Sequence, residues 1–183
     1  MPRPLTASAI IKALICLAAF AVCAPQVAAA GALCSHCDVL IGVGTTFSPW
    51  AWTGGVVFPI TLELQNSRWE LGAFRFATGQ RTGAGALPPE TDAANPYWGF
   101  TAMRRWQLLH RGRTKFYFGF GANYRTEVDY LESTHWNFAF LVAARLDLDA
   151  HGHALEIAVR HWSDAWIRPP NRGQNLVTLS FAF

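Results

Sequence analysis

The sequence predicts an all-β fold: an eight-stranded antiparallel transmembrane β-barrel with up-and-down topology. Three observations predict it. The 183 residues are 51% hydrophobic and 14% aromatic but only 15% charged, where a soluble domain carries about 25% charged residues. No apolar run outside the N-terminal leader approaches the roughly 18 residues that a membrane-crossing helix needs. The apolar residues instead fall at every second position through eight segments of about ten residues, the spacing of strands that show one face to lipid.

Residues 1–30 read as a secretory signal peptide, which leaves residues 31–183 for the barrel. Arg3 and Lys12 form a basic start, Ala13 to Val22 an apolar core, and Ala28-Ala29-Ala30 a small-residue exit for cleavage. Without the leader the chain holds 13 basic against 12 acidic residues. That balance excludes a nucleic-acid binder, which needs a basic stripe. Cys34-Ser35-His36-Cys37 reads as a local disulfide or an unremarkable exported pair. A redox motif would precede a helix, and a metal site using His36 and Asp38 would need a second ligand pair.

The first segment, Asp38–Ser48, puts Val39, Ile41, Val43 and Phe47 on one face. Val56–Gln65 sets Phe58, Ile60, Leu62 and Leu64 against Thr61 and Glu63. Arg68–Ala77 is a third segment with a less regular pattern. Tyr97–Leu109 has Trp98, Phe100, Ala102, Trp106 and Leu108 in phase, with Arg104 on the same face. Arg113–Tyr124 sets Phe116, Phe118 and Phe120 against Tyr117, Gly119, Gly121 and Asn123. Trp136–Leu148 sets Phe138, Phe140, Val142 and Leu146 against Asn137, Ala139, Ala143 and Arg145. His153–Trp162 sets Leu155, Ile157 and Val159 against Glu156, Ala158 and Arg160. Asn175–Phe183 closes the series with Val177, Leu179, Phe181 and Phe183 on one face.

The second face decides which barrel this is. A soluble lipid carrier must show charge outside. Here the less apolar faces hold Gly, Ala, Ser and Thr with a few charges, Glu63, Arg145, Glu156 and Arg160. Such residues suit the narrow interior of an eight-stranded barrel, so the bulky face points into lipid. Short connections at residues 66–67, 110–112 and 149–152 alternate with longer ones at 49–55, 78–96, 125–135 and 164–174. Short turns are periplasmic and long loops external in such barrels. The ending Phe181-Ala182-Phe183 resembles the last strand of bacterial outer-membrane proteins, which makes Phe183 the expected contact with the assembly machinery.

His161 and Ser163 stand two apart at the end of the seventh strand, with Cα atoms about 7 Å from each other. An imidazole at that spacing can take the proton of the hydroxyl, as an activated serine nucleophile requires. Both share parity with Leu155, Ile157 and Val159, so the pair points outward at the external interface, beside head groups and the first acyl carbonyls. The bland reading is an interface girdle that tolerates His and Ser, with Trp162 and Trp166 as anchors. No Gly-x-Ser-x-Gly elbow is present, and no carboxylate cluster resembles a Ca²⁺ loop. No metal or other cofactor is expected.

With these residues in place, the sequence resembles the lipid A 3-O-deacylases, outer-membrane acyl hydrolases with an eight-stranded barrel. The specific motif spans residues 161–175. The resemblance implies that His161 is general base and Ser163 nucleophile, and that Asn171 of Pro170-Asn171-Arg172-Gly173 serves the oxyanion hole. It also implies lipid A of lipopolysaccharide in the outer leaflet as substrate. The family's triad Glu falls at Asn175, which can accept a hydrogen bond from the imidazole but supplies no charge. Asp164, Asp129 and Glu132 are the alternative acids, Asp164 first. Arg168, Arg172 and Arg125 are candidates to grip lipid A phosphates. The rival expectation is a barrel of weak or no catalytic activity that binds lipopolysaccharide or has a structural role.

Overall fold

The computed structural model of the protein describes residues 36–47, 55–65, 67–77, 96–128, 134–165, 167–168 and 173–183. They form β1 (Cys37–Phe47), β2 (Val56–Leu64), β3 (Trp69–Phe76), β4 (Tyr97–Arg111), β5 (Thr114–Arg125), β6 (Trp136–Asp147), β7 (Ala154–Ser163) and β8 (Gln174–Ala182). Each strand pairs antiparallel with the next, and β8 returns to β1 through pairs such as Val43↔Leu179. Closure leaves no free sheet edge around the ring. The expected leader and Cys34 lie outside the described residues, and Cys37 is disulfide-bonded.

The period of two sorts every strand into two faces. Along β6, Trp136, Phe138, Phe140 and Val142 are exposed while Asn137, Ala139, Leu141 and Ala143 are buried. The bulky face is therefore the outer one, and the lumen is packed rather than open. Turns of a few residues join β2 to β3, β4 to β5 and β6 to β7. Two of them use glycine in the left-handed region, Gly112 at φ 61° and Gly152 at φ 97°.

The lumen has two layers. Toward the short turns, three arginines meet four carboxylates. Arg105 binds Glu70 at 2.8 Å and Glu156 at 2.7 Å. Arg160 reaches the other oxygen of Glu70 at 2.6 Å. Arg145 binds Asp38 at 2.9 Å and Glu63 at 3.1 Å. Each charge has a partner of opposite sign, which a buried ion requires.

Toward the long loops the lumen turns aromatic. Phe76 stacks on Tyr97 with centroids 4.3 Å apart, and Trp162 meets Phe74 edge-on at 5.3 Å. Gly99 makes room for this layer: a Cβ there would stand 2.7 Å from Trp162 Cη2. Small residues and charges were the expected filling, and large aromatics were not. They account for the irregular third segment, because Phe74 and Phe76 face inward while Arg75 lies on the outer side of the same strand.

Candidate active site

β7 and β8 run side by side with His161 opposite Asn175. Both side chains are on the outer face and half-buried. His161 Nδ1 and Asn175 Oδ1 are 2.9 Å apart. An amide oxygen only accepts, so Nδ1 is the donor, and in the neutral ring that leaves the lone pair on Nε2. That is the tautomer a general base needs. Phe140 of β6 flanks the ring from the other side at 6.2 Å between centroids.

Ser163 ends β7 on the same face, paired across the sheet with Phe138. Among the described residues its hydroxyl has no hydrogen-bond partner. A catalytic hydrogen bond that is long or unmade without substrate is common. Below the couple, Val159 pairs with Val177 and Ile157 with Leu179, so an apolar strip descends directly from His161 and Asn175.

Gly173 holds the imidazole from the loop side. Its φ is 69°, and a Cβ built there would lie 2.6 Å from His161 Cε1 and 3.3 Å from Nε2. Glycine is therefore required twice, once for the backbone and once for the close approach. Strand periodicity carries no sign of this contact, because Gly173 lies just before β8 begins.

The other expected site residues are placed as follows. Asp164 is buried, with the inward parity of Trp162, and its Oδ2 accepts the Arg168 N–H at 3.1 Å. It accepts that N–H within the turn after Ser163, and Asn175 is the residue at His161 Nδ1. Ala165 follows at φ 55°, an uncommon conformation for a residue with a Cβ. Trp162 is buried in the lumen and is not an outer-face anchor. Arg125 is also buried, its guanidinium 4.8 Å from the Tyr97 ring centroid, so it is not brought to the outer face. Arg168 is exposed beside the couple's loop. Asn171, Arg172, Trp166, Asp129 and Glu132 lie outside the described residues.

Behind the couple, the intervening residues anchor the strand ends. Trp162 is wedged between Phe74, Phe76 and Gly99. Gln174, buried and opposite Trp162, donates its Nε2 to Tyr97 Oη at 2.9 Å. The inner layer thus fixes the two strands whose outer faces carry His161, Ser163 and Asn175.

A family model described as lipid A 3-O-deacylase (PagL) matches residues 41–183. The fold is similar to the crystal structure of the outer membrane enzyme PagL, with 17% identity and a TM-score of 0.54, covering 80% of this chain and 98% of that one. It is also similar to the crystal structure of Neisserial surface protein A, with 11% identity and a TM-score of 0.51, covering 80% and 92% of the two chains. A search of curated proteins finds no match.

Proposed function

The chain belongs to the lipid A 3-O-deacylase family, a family of outer-membrane β-barrel enzymes, and from that premise we propose that Ser163, His161 and Asn175 form its catalytic centre. The substrate is the ester-linked 3-O-acyl chain of lipid A. The observation that carries this reading is the 2.9 Å contact between His161 Nδ1 and Asn175 Oδ1, because it leaves Nε2 free to act on the hydroxyl two residues away.

Ser163 Oγ attacks the ester carbonyl carbon while Nε2 takes its proton. The bond to the sugar oxygen then breaks, and Nε2 returns the proton to that oxygen. Water attacks the acyl-serine, gives a proton to Nε2, and releases the fatty acid as the proton passes back to Oγ. Asn171 and nearby backbone N–H groups stabilise the oxyanion in this scheme. The Val159, Val177, Ile157 and Leu179 strip accepts the acyl chain from the outer leaflet. Arg168 and Arg172 engage the phosphates. Arg125 is buried beside the Tyr97 ring, on the inner side of the sheet.

Asn175 lacks the charge of a triad acid and is one methylene shorter than the family's Glu. In a serine protease the exchange of acid for amide costs about four orders of magnitude, with the imidazole left in the wrong tautomer. Here the amide oxygen already faces Nδ1, so the bond is kept without the charge and the penalty is smaller. The uncharged partner is also what favours the second reading, a slow or inactive lipopolysaccharide-binding barrel.

Mass spectrometry of lipid A from a lipopolysaccharide-producing host expressing the chain separates the two. The first reading expects loss of one hydroxyacyl chain, abolished in Ser163→Ala while that variant keeps its heat-dependent gel mobility. Unchanged lipid A beside a folded, inserted wild type overturns it.

A further inference from the structure

β4 is the longest strand and outruns its neighbour. Its last pair with β3 is Arg104↔Trp69, yet its ladder with β5 continues to Arg111↔Thr114. The register shifts between Gln107 and Leu109, and from Gln107 onward every residue of β4 is exposed. Leu108 and Leu109 are 66% and 54% exposed. At the short-turn end β4 therefore runs on past β3 with its outer edge unpaired among the described residues, while β5 stays paired with β6 as far as Thr114↔Leu146.

Its charge is one-sided. Residues 104 to 115 hold five cations and no carboxylate. Arg105 is neutralised in the lumen, and Lys115 binds Asp147 at 2.8 Å. Arg113 gives its Nε to the Asp147 backbone carbonyl at 2.7 Å. Among the described residues Arg104, Arg111 and Arg113 have no carboxylate partner.

Their height matches a membrane surface. Trp98 and Trp106 are both on the outer side of β4, roughly 20 Å apart along the axis for a strand rising 3.3 Å per residue and tilted about 40°. That is close to the apolar band of such barrels, about 25 Å tall with aromatic girdles. Arg104 lies on the lipid face just above the lower girdle, its guanidinium 6.0 Å from the Trp106 ring centroid. A charge on that face has to reach the interface. The hairpin tip carries Arg111 and Arg113 roughly 10 Å further, into the head-group layer.

We infer that the β4–β5 hairpin binds the anionic head groups of glycerophospholipids in the periplasmic leaflet. Arg104, Arg111 and Arg113 meet the phosphates, and Leu108 and Leu109 enter the acyl boundary. The short-turn end faces the periplasm, away from the leaflet that holds lipid A, so this site is separate from the catalytic couple. Among the described residues the other short turns lack the pattern. The one after β6 places its acid, Asp149, against His153.

The test is native mass spectrometry of the full chain in detergent, titrated with phosphatidylglycerol, phosphatidylcholine and lipid A. Wild type should retain phosphatidylglycerol at least roughly tenfold over phosphatidylcholine. Each Arg→Gln change among Arg104, Arg111 and Arg113 should cut that preference about fivefold, the effect of one cation at an anionic surface. Arg→Lys changes should keep it. Equal retention of the two phospholipids by wild type overturns the inference, as does a glutamine triple that binds like wild type or a hairpin-dependent preference for lipid A. If the triple does not fold, Arg111→Gln at the exposed tip decides alone. A soluble periplasmic protein pairing with the β4 edge, lost on Arg111→Pro while lipid retention is equal for both head groups, also overturns it.

Discussion

On the inner face of β7, Glu156 and Arg160 are buried and each holds an opposite charge across the lumen, at 2.7 Å to Arg105 and 2.6 Å to Glu70. On the outer face of the same strand, His161 has one side-chain hydrogen bond, to Asn175, and the Ser163 hydroxyl has none among the described residues. A period of two thus puts a charge-paired network and an under-partnered one on the same ten residues. Pairing suits a scaffold, since a buried ion left alone is costly. An unmade bond suits chemistry, since the hydroxyl must remain available to its substrate.

Breaking the inner face should produce the largest effect. Arg105→Met strips Glu156 and Glu70 of a cation each, and removal of one partner from a buried set costs about 3–5 kcal/mol. The urea midpoint of unfolding should fall accordingly. The specific activity of the molecules still folded should stay near wild type. A loss of activity at full stability would show that the network acts on the site directly.

Gly173 probes the outer face next. Gly173→Ala adds a methyl against His161 Cε1 and strains a left-handed backbone. A displaced base costs about 10²-fold in rate for an ångström of misplacement. Gly152→Ala supplies the comparison, with φ 97° but nothing within 4 Å of its Cβ. It should lose a little stability and no activity. Equal kcat losses in the two would mean that backbone strain, and not the ring contact, is what matters.

How much of this could be read in the sequence differs between the two faces. Strand parity alone placed His161 and Ser163 outside and Glu156 and Arg160 inside, and each strand boundary lies within two residues of its expected position. Parity also carried information that the expectations did not use. Arg125 is in phase with Asn123, and Asp164 with Trp162, so both were due to face inward, as they do. The aromatic layer of Phe74, Phe76 and Trp162 broke the expected contrast between bulky and small faces because the lumen near the long loops takes large rings. The Gly173–His161 contact left no mark, since a periodicity has no reach across a loop.

Asn175 sharpens the outer half of the comparison with a smaller change, in the direction of gain. The amide already spans to Nδ1 at 2.9 Å, so an acid of the same length fits without rearrangement. Asn175→Asp adds the charge that steadies the imidazolium and should raise kcat by about tenfold or more, the equivalent of about 1.4 kcal/mol. Asn175→Glu adds a methylene to a distance that needs none, so it should gain less. Both should fail to help in a Ser163→Ala background. If Asn175→Asp is slower than wild type, the missing charge does not limit the rate.

The smallest expected effect lies at the wet end of the molecule, where a third ionic arrangement is neither sealed in the lumen nor poised for chemistry. Asp149 Oδ2 stands 2.6 Å from His153 Nδ1, and its Oδ1 accepts the His151 and His153 backbone N–H groups. The His153 bond, helped by those N–H groups, holds the carboxyl below its ordinary 3.8. The folded chain therefore keeps Asp149 ionised more readily than the unfolded one. The resulting stabilisation is present in full above that ordinary value and is lost as pH falls through the lower folded value. Water and salt screen an exposed pair, so it contributes little beside the buried network. Asp149→Asn should lower the urea midpoint slightly at neutral pH, by less in high salt, and the gap from wild type should close in strong acid. A gap as large as that of Arg105→Met, or one that persists in acid, would mean that this turn is held by packing and not by the carboxylate.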